Sequence, residues 1–463
     1  LQVVWLRRDL RLQDNPVLFA ALRSKEPVVV LFILDIEEEL GGASKWWLHH
    51  SLIALKDSLL KIGGDLSVRL GSPLEILTEL ALKNKITVYW NRLYTPYAIR
   101  RDSLIKEELQ SKYDTKVHTF NGSLLIEPWE LMNKEGLPFK VYSPFWRALS
   151  QRDIKEDLKL EFLESSFTKD EKAEEIESLN LLPKIRWDKG FYNNWQPGEV
   201  SAQNRLEAFL SDAISSYDKK RNFPGIDGTS RLSPHLHFGE ISPRQIWHSV
   251  YNLRLPLQGG YETYLKEVVW REFGYHLLYH FPFTVSEPLN EKFRDFAWEE
   301  IDSEIIKAWQ RGKTGVPLVD AGMRELWQTG WMHNRLRMIV ASYLVKHLLI
   351  DWRVGAKWFM DTLVDADLAS NTLGWQWVAG SGADAAPYFR VFNPTLQGLK
   401  FDPEGSYIRR WVPELRDLRG ERVFEPWKEG RSVNGYPPKP IMELDKGRDR
   451  ALAAFKVLNT KDL

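Results

Sequence analysis

Val28-Val29-Val30-Leu31-Phe32-Ile33-Leu34 is the longest apolar run in the chain. It is far too short to cross a bilayer, which takes about twenty residues. β-Branched and aromatic side chains dominate it, so it reads as a strand buried on both faces. Val3–Trp5, Leu66–Leu70, Thr87–Trp90 and Val117–Phe120 repeat the pattern. Between them Trp47–Lys61, Pro73–Lys83 and Tyr97–Gln110 carry helical periodicity. Strand alternating with helix predicts a parallel sheet with helices on both faces. No G-x-G-x-x-G follows the first strand, so an ordinary dinucleotide site is not expected there.

A chain of 463 residues exceeds one ordinary core, and two domains are expected. With 63 basic and 63 acidic residues, overall charge does not announce a polyanionic partner; a nucleic-acid surface must come from local clustering. Zero cysteines exclude disulfides, thiolate metal sites, iron–sulfur clusters and cysteine nucleophiles. That usage suits an intracellular protein, and a bacterial-type cytoplasmic location is the expectation. No signal-peptide pattern or membrane span is visible, although Leu1 leaves a trimmed leader open. The 20 tryptophans are far above an ordinary share, and serve either as packing or as π-chemistry.

Residues 151–180 hold 10 acidic and 5 basic groups, and with the stretch to Gly198 read as a solvated connection. The expected division is therefore 1–125, an α/β domain; 126–198, a connector; and 199–463, a larger all-α domain. Helices are predicted over Glu199–Lys219, Pro243–Arg254, Gly259–Tyr279, Asp302–Arg311, Pro317–Thr329, Asn334–Ile350 and Lys357–Leu363. Gly312-Lys313-Thr314 imitates the end of a P-loop, but Lys307 stands where its first glycine is required. Asn121-Gly122-Ser123 is a glycosylation sequon by letter only.

Two segments concentrate chemistry: Gly330-Trp331-Met332-His333-Asn334-Arg335-Leu336-Arg337-Met338, and Asp365-Ala366-Asp367-Leu368-Ala369-Ser370-Asn371-Thr372-Leu373-Gly374-Trp375-Gln376-Trp377. Together they offer arginines, paired carboxylates, amides and indoles, a polar frame for a large aromatic ligand. Either segment alone reads as an amphipathic helix filling a core. Gly228-Thr229-Ser230-Arg231-Leu232-Ser233-Pro234 adds three hydroxyls and an arginine at a loop-to-helix boundary, suited to a pyrophosphate or to ordinary capping by Ser233. Upstream, Tyr217-Asp218-Lys219-Lys220-Arg221 is a local basic cluster with an aromatic.

With Trp5-Leu6-Arg7-Arg8-Asp9-Leu10-Arg11 and Trp270-Arg271-Glu272-Phe273, these motifs resemble the photolyase/cryptochrome family along nearly the whole chain. The resemblance implies an α/β N-terminal domain, a connector, and a helical domain holding FAD in a U-shaped conformation. It implies that Tyr217, Thr229, Ser230, Arg231, Leu232 and Ser233 hold the FAD phosphates, with Arg271 and Asn334 also in the cofactor site. Arg337 and Asp365 would form an ion pair against the flavin, Asp367 would accept a hydrogen bond from it, and Asn371 would face its redox-active nitrogen. Met338, Asn334 and Asn371 resemble enzymes that split cyclobutane pyrimidine dimers, in the class nearest plant cryptochromes. A blue-light receptor is the alternative. The given chain ends 23 residues after Pro440, without the long tail of the receptors.

The implied partner is ultraviolet-damaged DNA bound by a monomer, the dimer flipped into a pocket. Trp270 and Trp377 would wall the dimer, Glu267 would hydrogen-bond it, and Arg221, Arg335, Arg390 and Lys400 would line the DNA-facing surface. Light-excited reduced FAD would lend the dimer one electron. Trp375, Trp352 and Trp298 match the family's electron-hopping chain. A second, light-gathering chromophore is expected, methenyltetrahydrofolate or else a deazaflavin, with Trp90 and Glu38 as the candidate contacts. No metal site is expected.

Overall fold

A computed structural model describes residues 1–159, 166–300, 302–385, 390–428 and 432–460. Strands β1 (Gln2–Leu6), β2 (Val28–Asp35), β3 (Leu66–Gly71), β4 (Thr87–Asn91) and β5 (Lys116–Phe120) form one sheet, in the order β3-β2-β1-β4-β5. Every pairing is parallel, with Val3 opposite Val29 on one side and Val88 on the other. Helices α1 (Pro16–Leu22), α2 (Gly42–Leu60), α3 (Pro73–Lys83) and α4 (Pro96–Tyr113) are the crossovers. Alternate strand residues Val3, Trp5, Leu31 and Val88 pack with Ile76, Leu80, Ile105 and Leu109 of α3 and α4. The residues between them point to the opposite face, where α1 packs on β1, β4 and β5, and α2 on β3.

Next come α5 (Tyr142–Leu149), α6 (Glu199–Ser211), α7 (Tyr217–Lys220), α8 (Ser233–His237), α9 (Pro243–Tyr251) and α10 (Gly260–His280). They are followed by α11 (Ser303–Gln310), α12 (Pro317–Thr329), α13 (Asn334–Ser342), α14 (Trp352–Thr362), α15 (Leu368–Ala379), α16 (Pro394–Phe401), α17 (Ser406–Trp411) and α18 (Leu444–Thr460). The chain forms two units. One comprises residues 1–187, 195–215 and 230–282; the other comprises 188–194, 216–229 and 283–463. They interleave along the sequence, so the point where strands give way to helices is not a single cut between units. Among the described residues no helix is long and apolar enough to cross a membrane.

Three helix expectations need correction. The helix predicted over Glu199–Lys219 stops at Ser211, where Asp212 takes φ −126° and ψ −70°, and resumes as the short α7. The one predicted over Asn334–Ile350 leaves the α form at Ser342 for a π-helical turn, Tyr343–His347. The one predicted to start at Lys357 begins at Trp352, with the Asp351 side chain accepting from the Arg353 N–H at 2.9 Å.

Candidate functional site

In the second unit the site is built on the turn between α12 and α13. Gly330 ends α12 with φ +68°, and a Cβ there would lie 2.6 Å from the Phe191 ring and 2.7 Å from Val364. Only glycine fits. The Val364 N–H donates to the Gly330 carbonyl at 2.7 Å, so this turn holds the segment leading into Asp365. His333 then caps α13, its Nδ1 accepting from the Arg335 N–H at 3.2 Å. Arg337 donates from Nε to the Met332 carbonyl and from Nη2 to Asp365 Oδ2, both at 2.8 Å. Asp367 caps α15 through the Ser370 N–H at 2.8 Å, and one turn on Asn371 donates from Nδ2 to the Ala356 carbonyl at 3.1 Å.

These groups converge on a cavity of about 150 Å³. Its polar lining is Asn334, Arg337, Asp365, Asp367, Ser370 and Asn371; Met338, Phe359, Leu363, Trp375 and Val378 supply apolar surface. The Arg337–Asp365 pair, Asp367, Asn334, Met338 and Asn371 are thus brought together. Phe359 and Ser370 join them, although sequence reasoning had missed both. Asp365 Oδ1 is buried without a partner, an acceptor whose burial is unfavourable unless a ligand donor meets it. An apolar wall edged by carboxylates, amides and one guanidinium suits the flavin of FAD.

Trp375 reaches the cavity because α14 carries Gly355, where a Cβ would fall 2.0 Å from the indole. Its ring meets Phe359 at 5.0 Å and Trp309 at 6.3 Å, both edge-on. Trp352 is buried in the same core and Trp298 packs half-buried against it. Arg335 lies with its guanidinium 4.4 Å from the Phe401 ring centre and hydrogen-bonds the Asn222 side chain. Burial and the nearby Arg221 guanidinium both lower its pKa, so an anion placed between the two arginines would be stabilised. Arg221 in turn lies 5.5 Å from the buried Tyr217 ring. Lys400 and Arg390 are exposed, Trp377 is half-buried against the helical core, and Thr229 is half-buried.

In the first unit, Ser230 hydrogen-bonds the Tyr264 hydroxyl, Arg231 holds φ +51°, Leu232 is buried and Ser233 is exposed. Leu232 is the N-cap of α8, and Ser233 is its first residue rather than its cap. On α10, Glu267 is half-buried and Trp270 stacks face to face on Tyr142, with ring centres 3.7 Å apart and planes at 6°. The Tyr142 hydroxyl donates to the Lys266 carbonyl at 2.6 Å, which fixes that ring. Tyr142 sits in the stretch read as a connector, and nothing in its surroundings there marked it. Arg271 donates to the Ser123 carbonyl at 2.8 Å. Burial pushes the neighbouring Glu272 carboxyl up to about 7 against the opposing pull of Arg271.

Trp90 does not offer a chromophore a stacking face. It is 2 % exposed, packed in the sheet core edge-on to Trp5 at 5.6 Å. Glu38 pairs with Arg8 at 3.1 Å and Arg101 at 3.3 Å beside a cavity of only about 30 Å³, too small for a folate. A cavity of about 520 Å³ lies instead in the second unit, lined by Trp327, Trp358 and the cations Lys307, Arg311, Lys313 and Arg324, with no acid among its lining residues. The two indoles are parallel within 6°, their ring centres 6.1 Å apart, and Trp327 is 48 % exposed.

A family profile described as "DNA photolyase" matches residues 2–161, and one described as "FAD binding domain of DNA photolyase" matches residues 264–457. The chain is 48 % identical to the deoxyribodipyrimidine photo-lyase of Agrobacterium fabrum, over 98 % of this chain and 97 % of that one. It is 37 % identical to cryptochrome-1 of Arabidopsis thaliana, over 97 % of this chain and 69 % of that one. The crystal structure of a class III photolyase from Agrobacterium tumefaciens superposes with a TM-score of 0.94 at 46 % identity, covering 99 % of this chain and 98 % of the other. The chain belongs to the photolyase/cryptochrome family, and FAD is its cofactor.

Proposed function

We propose that this protein repairs cyclobutane pyrimidine dimers in DNA under light, in the manner of the class III photolyases. The observation that carries the reading is the cavity edged by the Arg337–Asp365 pair and Asn371, with Met338 in its wall. When bound and fully reduced, FAD supplies the photoexcited electron. The chain's own residues position the reactants. Arg337 and Asp365 would hold the ring's polar edge. Asn371, its amide nitrogen engaged by the Ala356 carbonyl, would offer its oxygen as the acceptor for a protonated ring nitrogen. Tyr217 and Thr229 to Ser233 would hold the phosphates.

Lost pairing makes a dimer easier to flip than normal bases. Trp270 and Trp377 would stack on it; because Tyr142 covers one face of Trp270, only the opposite face can take a base. Glu267 would bond the pyrimidine carbonyls or N–H groups. Two ring bonds break and the electron returns, so the reaction is redox-neutral and calls for no nucleophile. Arg221, Arg335, Arg390 and Lys400 would contact phosphates. We assign the second chromophore to the Trp327–Trp358 cavity: a folate is a planar ring with anionic carboxylates, and flat indoles with surplus cations suit that chemistry.

The test is light-driven repair by pre-reduced, FAD-loaded protein on dimer and (6-4) oligonucleotides in parallel. Repair of the dimer substrate alone is expected. An illuminated, fully reduced sample that binds the dimer but leaves it intact would refute the reading and favour a light receptor.

A further inference from the structure

We propose that Glu325 is the positioning residue for Arg335, setting the protein's grip on a DNA phosphate; the inference rests on the DNA-binding reading above. Glu325 lies on α12, 4 % exposed. Its Oε2 accepts from the Tyr407 hydroxyl at 2.7 Å and from the His333 N–H at 3.3 Å. Its backbone carbonyl accepts from the Thr329 hydroxyl at 2.8 Å, and that oxygen accepts from the Trp331 N–H at 3.2 Å. The carboxylate therefore holds two separate supports of Arg335.

The first support is the backbone from which Arg335 projects. His333, held by Glu325, immediately precedes α13, and its Nδ1 receives the Arg335 N–H at 3.2 Å. The second is the surface on which the guanidinium rests. Tyr407 donates its own N–H to Asp402 Oδ1 at 3.0 Å, and Asp402 directly follows Phe401, the ring 4.4 Å from the guanidinium. Arg335 itself has no carboxylate within ion-pair distance among the described residues; its recorded polar contact is the Asn222 amide oxygen. Its Nε is buried and unpaired. A guanidinium so fixed, next to Arg221 and lacking an internal counter-charge, is set for an external anion.

The carboxylate is suited to this task because it accepts from two donors at once. Glutamine retains an accepting oxygen, leucine none. Phenylalanine at 407 removes a single hydroxyl and leaves the packing.

The experiment measures affinity of FAD-loaded protein for a dimer-containing duplex by fluorescence anisotropy across a salt series. Arg335→Ala should flatten the log–log salt slope by about 0.9, one phosphate contact, and weaken binding about tenfold. Glu325→Leu and Tyr407→Phe should shift the slope the same way and add nothing in the Arg335→Ala background. Glu325→Gln should recover most of the parent affinity and salt slope. A parental slope in folded Glu325→Leu, or effects that add to Arg335→Ala, overturns the proposal. Where Glu325→Leu does not fold, Tyr407→Phe decides. If the parent itself binds dimer DNA without salt dependence, the DNA reading falls and this inference with it.

Discussion

At the carboxyl ends of β1 and β2, Arg7 lies 4.3 Å and Arg101 5.1 Å from the Trp5 ring centre, whereas Trp327 and Trp358 share their cavity with four cations. The ingredients match; the charge balance does not. At the sheet, Arg7 pairs with Asp102, Arg8 with Glu38, and Arg101 with Asp35, Glu38 and Asp102. In the helical cavity Lys307 pairs with Glu304 and Arg324 with Glu414, while Arg311 and Lys313 have no such pair among the described residues. The first cluster spends its charges on itself and closes to about 30 Å³; the second keeps a positive surplus beside about 520 Å³. On the assignment proposed above, tryptophan beside arginine would mark a ligand site where charge is left over and the indole is exposed.

The hardest way to break this comparison is Trp90→Ala. Trp90 is fully enclosed with Trp5, Val88 and Ile105, and deleting such a ring costs about 3–5 kcal/mol. Denaturant unfolding should show that loss. A drop under about 1 kcal/mol, with the second chromophore gone, would return Trp90 to the role of platform.

Glu38→Gln is the intermediate test. Burial opposes the Glu38 charge, but Arg8 and Arg101 outweigh it and hold the carboxyl below its ordinary value. A depressed folded-state value means that the stabilisation is present above the unfolded value, near 4.5, and fades as pH falls through the folded one. At pH 7 the substitution should cost about 0.5–1 kcal/mol, and by pH 3 the difference from the parent should shrink. A constant difference in thermal unfolding across that range would count against a self-neutralised cluster.

The same contrast explains what the sequence could disclose. β-Branched runs such as Val28–Leu34 place a strand unambiguously, since little else buries that many such side chains on two faces. The Arg337–Asp365 pair was legible through the family resemblance of its two motifs, and charge complementarity agrees with it, since a part-buried guanidinium calls for a carboxylate. Trp90 ends the run Thr87–Trp90 and Trp327 stands in Arg324-Glu325-Leu326-Trp327-Gln328-Thr329, but tertiary packing is what encloses the first and exposes the second. Tyr142 was hidden for a related reason, as its partner Trp270 is remote in sequence. The break after Ser211 and the π-helical turn at Tyr343 are likewise tertiary, for helical periodicity runs through both.

Trp327→Ala has the smallest expected effect on stability and the sharpest on function. The ring is about half exposed, and surface substitutions usually stay within about 0.5 kcal/mol. Stacking by one aromatic contributes roughly 1–3 kcal/mol, so affinity for added methenyltetrahydrofolate should fall about 5- to 150-fold. Lys313→Glu should act in the same direction by reversing one surplus charge. FAD content should not change in either variant, because neither residue lines the 150 Å³ cavity. Titration of folate absorbance against parent, Trp327→Ala and Glu38→Gln then separates the two regions. Loss of binding in Glu38→Gln with parental binding in Trp327→Ala would move the chromophore to the sheet edge, and the surplus of charge beside Trp327 would no longer distinguish a ligand site from a packed one.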